Sequence, residues 1–96
     1  MLEKTVENYL KKRVKECGGL CFKWSSPSHR GVPDDIVFIY GEIWFVEVKR
    51  PGGKTTKLQD LTMKQIREYT PNVCVLSSKE EINRWIEDRQ QMELSL

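Results

Sequence analysis

Two carboxylates and a lysine stand where a buried strand should be apolar. Glu47-Val48-Lys49 ends the run Ile43-Trp44-Phe45-Val46, and Val32-Pro33-Asp34-Asp35 opens the run before it. Side chains alternate along a strand, so Glu47 and Lys49 leave one face together with Ile43 and Phe45, while Trp44, Val46 and Val48 leave the other. Both faces are apolar up to that point, as in a central strand covered on both sides. Charges at its end are costly to bury unless they are paired or meet a metal ion. Asp34 opens one strand and Glu47 closes its hairpin partner, which makes the two carboxylates neighbours at one end of a sheet. With the Val48 carbonyl they form a set of hard oxygen donors suited to Mg²⁺ or Mn²⁺, with coordination positions left for water and a phosphate oxygen. Lys49 adds a cation able to orient a water nucleophile or balance charge in a transition state. The competing reading of the same residues is a hairpin with a surface salt bridge between Glu47 and Lys49.

The elements that must position these groups follow from periodicity. Leu2, Val6, Tyr9, Leu10, Val14 and Cys17 recur at helical spacing, giving a first helix over about residues 2–17 that Gly18-Gly19 closes. Glu7 lies at the margin of its apolar stripe, from where it can reach into a cleft. Leu20–Trp24 is a short strand candidate, followed by a turn-rich loop through Pro33. Ile36–Tyr40 and Ile43–Lys49 are strands joined by a two-residue connection at Gly41-Glu42. After the loop Arg50–Thr56, a second helix over about residues 57–69 turns Leu58, Leu61, Thr62, Ile66 and Tyr69 to the core. Gln59 sits at the edge of that stripe and Gln65 in its middle, where it would need a buried partner. Val73–Leu76 is a last strand, and Ser78-Lys79-Glu80-Glu81 signals the start of a third helix with Ile82, Trp85 and Ile86 inward. The order αβββαβα predicts an α/β fold with a mixed four-stranded sheet flanked by helices.

Composition sets the outer limits. Ninety-six residues, 39% of them hydrophobic and 31% charged, suit one domain spanning 1–96 with one modest core. The apolar runs are too short to cross a bilayer and the N-terminus is too charged for a signal peptide, so an intracellular, cytoplasmic protein with no membrane partner is expected. Cys17, Cys21 and Cys74 are too few and too oddly spaced for a disulfide framework, and with a single histidine, His29, they make no zinc site. They are expected to be buried thiols. Net charge is only +2, but residues 1–57 carry eleven Lys/Arg against seven acids, and residues 58–96 five against seven. The clusters Lys11, Lys12, Arg13, Lys15 and Lys49, Arg50, Lys54, Lys57 are either ordinary solvated charge or a footprint for a polyanion. Asp35, alternating away from Asp34, is expected at the surface or bonded within the loop. Trp24 and Trp44 are expected in the core, and Gly52-Gly53 lacks the following GK[ST] of a phosphate-binding loop.

Taken together, Gly31-Val32-Pro33-Asp34, a spacer of twelve residues, Glu47-Val48-Lys49, then Pro51-Gly52-Gly53-Lys54 and Gln59 resemble the PD-(D/E)xK nuclease superfamily, specifically its VRR-NUC family, over roughly residues 3–78. The resemblance implies a restriction-endonuclease-like core and a metal-dependent DNA endonuclease using Mg²⁺ or Mn²⁺, with no organic cofactor. By that resemblance Asp34 and Glu47 are metal ligands, Lys49 the catalytic lysine and Gln59 a supporting residue. An acid on the first helix completes the family's site. Glu7 fits that place, and Glu3, one turn earlier, is the alternative. Family members of this size also resemble Holliday-junction resolvases, which implies a homodimer acting on branched DNA. The other readings are a flap- or end-acting nuclease and a catalytically silent nucleic-acid-binding module; the intact Asp34, Glu47, Lys49 set argues against the last.

Overall fold

The computed structural model describes residues 1–95. Its order is α1 (Glu3–Glu16), β1 (Leu20–Lys23), β2 (Asp35–Ile39), β3 (Glu42–Val48), α2 (Lys57–Arg67), β4 (Val73–Leu76) and α3 (Lys79–Leu94). The four strands form one sheet in the order β1-β2-β3-β4. β1 with β2 and β2 with β3 are antiparallel, and β3 with β4 is parallel. Thus the expected αβββαβα arrangement and mixed sheet are present. None of its helices is long and apolar enough to cross a membrane among the described residues.

Each face of the sheet has its own cover. Val37, Ile39, Trp44, Val46 and Val48 pack with Val6, Leu10 and Val14 of α1 and Ile82, Trp85 and Ile86 of α3 in the main core. Trp44 and Trp85 meet edge to face at 5.6 Å, and the Arg89 guanidinium lies 4.4 Å from the Trp44 ring. On the opposite face, α2 covers only the β3/β4 side. Its inward positions are Thr62 and Met63, both buried, with Gln59 and Ile66 half-buried. That 59, 62, 63, 66 spacing is a helical stripe.

The expected phase of the second helix is therefore wrong. Leu58, Leu61 and Tyr69, expected toward the core, are 46%, 60% and 89% exposed, and Gln65 is exposed and needs no partner. The reason is that two of the four inward positions, Gln59 and Thr62, are polar; a stripe read from apolar residues alone locks onto the neighbouring flank. The hairpin is also shifted by one residue. Ile39 pairs with Glu42, so the connection is Tyr40-Gly41, with φ of 48° and 75°. Positive φ at both central positions is the two-residue turn whose twist matches the strands it joins, and it places a non-glycine residue, Tyr40, in the left-handed region.

Two glycines set how closely elements approach. Gly18 (φ 77°) and Gly19 end α1, their amides donating to the carbonyls of Lys15 and Val14 in the paired 5→2 and 6→1 pattern. A side chain at Gly19 would collide with the Phe38 carbonyl and Val14. Gly31 (φ 83°) lies against α2, where an added Cβ would come within 2.9 Å of the Leu58 carbonyl and of Thr62 Oγ1. Thr62 Oγ1 donates to the Arg30 carbonyl at 3.3 Å and sits 3.4 Å from His29 Nε2. The loop that delivers Asp34 is thus fastened to α2.

Candidate functional site

The ladder register brings the carboxylates together. Asp35 pairs with Val46, so Asp34 stands one step beyond, across from Glu47 and on the same face. Past the last β2 bridge, the Val48 amide donates to Asp34 Oδ2 at 2.9 Å, so a side chain replaces the next ladder partner. The Val48 carbonyl shares that strand edge, because both polar groups of a residue in an antiparallel strand point to the same side. Lys49 Nζ lies 3.5 Å from Glu47 Oε2. Asp34, Glu47, Lys49 and the Val48 backbone are one cluster at the end of β3.

This cluster is not an ordinary surface salt bridge. Glu47 is 2% exposed and its Oε1 has no hydrogen-bond partner. Burial, and then the Asp34 charge, push the Glu47 carboxyl up to about 7 despite the opposing pull of Lys49. A buried carboxylate with one oxygen unpartnered, a second carboxylate beside it and a carbonyl on the same edge is a donor set that fits a hard divalent cation.

Glu7 is placed differently. Its carboxylate is 13% exposed and bound by Lys23 Nζ at 3.2 Å and 3.3 Å. Lys23 pairs in register with Asp35, so Glu7, Lys23 and Asp35 gather on the α1 face of the sheet, next to but not within the Asp34/Glu47 cluster. Among the described residues, no group of three or more His, Cys, Asp or Glu is arranged to hold a metal ion. Glu3 is exposed. Gln59 is at the start of α2, where it and Thr56 cap the helix reciprocally: the Gln59 amide donates to Thr56 Oγ1 at 3.1 Å, and the Thr56 amide donates to Gln59 Oε1 at 2.9 Å.

Asp35 overturns its expected place at the surface. It is fully buried and neither carboxyl oxygen has a hydrogen-bond partner. Burial first, then the facing Glu7, push its carboxyl up to about 7. Glu7 is held below the usual range, since burial, which acts to raise it, is outweighed by Asp35, Lys23 and Lys11. Two ionised carboxylates cannot hydrogen-bond one another, whereas a protonated Asp35 becomes a donor to an ionised Glu7. Of the pair, Asp35 is the acid pushed toward its protonated form and Glu7 the one held toward its ionised form. Asp35 does oppose Asp34 across the strand, but that direction leads under α1 rather than to solvent. Lys23 drew no attention in the sequence, and its only signal there was a cation at the end of a short strand.

Other expectations sort simply. His29 and Arg30 are exposed on the loop, and Trp24 is half-buried with its ring 5.5 Å from that of Phe45. The three cysteines are free and half-buried, and burial pushes the Cys21 and Cys74 thiols up to about 12, which disfavours their thiolate forms. In the α1 basic cluster, Arg13 is engaged by Asn83 Oδ1 at 3.1 Å and Glu16 Oε1 at 3.2 Å, whereas Arg50, Lys54 and Lys57 are exposed.

Comparison with known proteins agrees with this geometry. Over 79 residues the chain is 38% identical to a protein named "Putative nuclease p44" from Acyrthosiphon pisum secondary endosymbiont phage 1, an alignment spanning 81% of this chain and 85% of that one. A solved structure described as a VRR_NUC domain superposes with a TM-score of 0.82 at 36% identity, covering 88% of this chain and 94% of that chain. The chain belongs to the VRR-NUC family. No family model matches it. Within the VRR-NUC fold, the end of β3 and the start of β2 are where this chain concentrates its unpartnered buried carboxylates, Glu47 and Asp35.

Proposed function

We propose that the protein is a DNA endonuclease that hydrolyses phosphodiester bonds with Mg²⁺ or Mn²⁺, and that Asp34, Glu47 and the Val48 carbonyl hold the ion. The observation that carries this reading is Glu47, buried to 2% with Oε1 unpartnered beside a second carboxylate. A bound divalent ion supplies charge neutralisation and an activated water at neutral pH. Lys49 keeps a cation against the cluster where phosphate charge would develop, and the Val48 amide fixes the orientation of Asp34. Glu7 contributes from α1 across Asp35 and Lys23, while Gln59 supports the site by fixing the first turn of α2 rather than by reaching the cluster. Family membership and a relative named as a nuclease support the enzymatic reading over a silent binding module.

The substrate is proposed to be branched DNA, a four-way junction first, cut by a homodimer. With a radius of gyration of 13.0 Å, one chain is too small to enclose a duplex, and one site cuts one strand at a time. The test is incubation of the purified chain with labelled four-way junction, flap and linear duplex, each with Mg²⁺, Mn²⁺ or chelator. Paired nicks in the junction that vanish with chelator are expected. Preference for the flap would replace the junction reading with a flap-acting nuclease, and metal-independent cutting would remove the ion from the site.

A further inference from the structure

Thr62 puts a hydroxyl where a helix ordinarily buries an apolar side chain. It lies on the inward stripe of α2 at 3% exposure, beside Met63 and one turn before Ile66. Valine would fill that place with the same shape and leave no polar atom to satisfy. An inward threonine can satisfy its hydroxyl on the carbonyl one turn back in its own helix. Thr62 instead donates out of the helix, to the Arg30 carbonyl at 3.3 Å. The hydroxyl has one proton, so the contact with His29 Nε2 at 3.4 Å requires the ring to donate to Thr62 Oγ1. Among the described residues, these two contacts are the hydrogen bonds that tie the loop 25–33 to another element.

The span from that anchor to the carboxylate is short and stiff. Gly31 is pressed against Thr62 Oγ1 and the Leu58 carbonyl, with no room for a Cβ. Pro33 is fully buried with its φ fixed by the ring, and it holds Val32 before it extended. Asp34 follows at once. Its backbone carbonyl accepts from the Trp24 amide at 2.7 Å, and its Oδ2 accepts from the Val48 amide at 2.9 Å. We infer that Thr62 is a positioning residue for Asp34: by anchoring the loop to α2, it sets where Asp34 Oδ2 meets the Val48 amide and so how Asp34 stands against Glu47. Its hydrogen bonds go to the loop and not to the carboxylates, so it acts through residues 31–34. The placement of Asp34 can be read without an ion, whereas the effect on ion affinity rests on the proposed metal site.

The experiment is amide hydrogen exchange by NMR on the metal-free chain, followed by Mn²⁺ titration of the same samples. Thr62→Val removes the hydroxyl and keeps the shape, while Thr62→Ser keeps the hydroxyl. Ile66→Ala, one turn farther along the stripe, lowers stability with the loop anchor in place, and Gly31→Ala disturbs the anchor from the loop side. Thr62→Val and Gly31→Ala are expected to speed exchange of the Val48 amide at least about tenfold relative to the Trp44 and Val46 amides of the same strand. Thr62→Ser and Ile66→Ala are expected to leave that ratio near wild type. Mn²⁺ affinity is expected to fall at least about tenfold in Thr62→Val, the lower end of what loss of a group behind a metal ligand costs, and to recover in Thr62→Ser. An unchanged Val48 ratio in Thr62→Val, an equal change in Ile66→Ala, or a faster Val48 amide with undiminished Mn²⁺ affinity overturns the positioning role. Faster Val48 exchange in a chain whose wild type binds no Mn²⁺ leaves Thr62 holding Asp34 and overturns the metal reading instead.

Discussion

Replacing Asp35 with Asn is expected to stabilise the metal-free protein at alkaline pH and to flatten its pH dependence. The native carboxyl titrates near 7 against an ordinary value of 3.8, so the folded state holds a proton that the unfolded chain releases. The stability that goes with that proton is fully present below about pH 4 and is lost as pH rises through about 7, because the unfolded chain then binds fewer protons than the native one. A shift of roughly three units at about 1.4 kcal/mol per unit sets a ceiling near 4 kcal/mol. Glu7, shifted the opposite way, returns part of it, leaving about 2–4 kcal/mol. Asn has the shape of the protonated acid and can donate to Glu7 at every pH. With chelator present, Asp35→Asn should therefore melt on the order of 10–20 °C above wild type at pH 8.5, and within a few degrees of it at pH 4. Thermal melts at half-unit pH steps measure this. Glu47, also raised to about 7, leaves a residual slope of the same sign in both proteins. Parallel wild-type and variant curves across pH 4–8.5 would refute a proton shared between Asp35 and Glu7.

Asp34→Asn and Glu47→Gln are each expected to lower cleavage by at least about a hundredfold while DNA binding survives, as read by gel assays with the same labelled junction. Lys23→Ala should reduce stability by less than about 1 kcal/mol, because the Lys23 side chain is itself 63% exposed, yet impair cleavage through loss of the Glu7 contact; Glu7→Gln should then do so more than Glu3→Gln. Gly31→Ala combines a positive φ with a 2.9 Å clash at α2, so it should cost about 1–3 kcal/mol in denaturant titration and depress cleavage by displacing Asp34. DNA affinity should fall with salt at about −0.9 per neutralised phosphate, and charge reversal at Arg50, Lys54 and Lys57 should reduce that slope more than reversal at Lys11, Lys12 and Arg13, where Arg13 is already engaged.

How much of this was legible in the sequence depended on whether apolar residues marked the feature. The α1 and α3 stripes and all four strands could be read because their buried faces are apolar: Val6, Leu10 and Val14 on one helix, Ile82, Trp85 and Ile86 on the other. The α2 phase was lost because its inward stripe holds two polar residues, Gln59, which closes the capping box with Thr56, and Thr62, whose hydroxyl bonds the Arg30 carbonyl of a distant loop. The hairpin slipped by one because Tyr40 takes a conformation that non-glycine residues rarely adopt. Asp34, Glu47 and Lys49 were visible as charges interrupting a strand. Asp35 and Lys23 were not, for their importance lies in what α1 places above them.

The buried acids thus lie on both sides of the sheet at one end. Alternation sends Asp34 and Glu47 to the α2 side and Asp35 to the α1 side, where Glu7 waits with Lys23. Asp34 raises both buried carboxyls, so the two groups share one electrostatic field across the strand ends. Burial pushes one acid on each face, Asp35 and Glu47, up to about 7, so the metal-free protein loses their contribution to stability as pH rises through that range, where the deprotonated carboxylates would bind a divalent ion best. A cation that binds the folded state alone should therefore stabilise it more at pH 8 than at pH 5. Melts with Mn²⁺ at the two pH values, in wild type and Glu47→Gln, test this directly: a gain that grows with pH in wild type and collapses in the variant is expected, and an equal gain in both proteins would place the ion elsewhere.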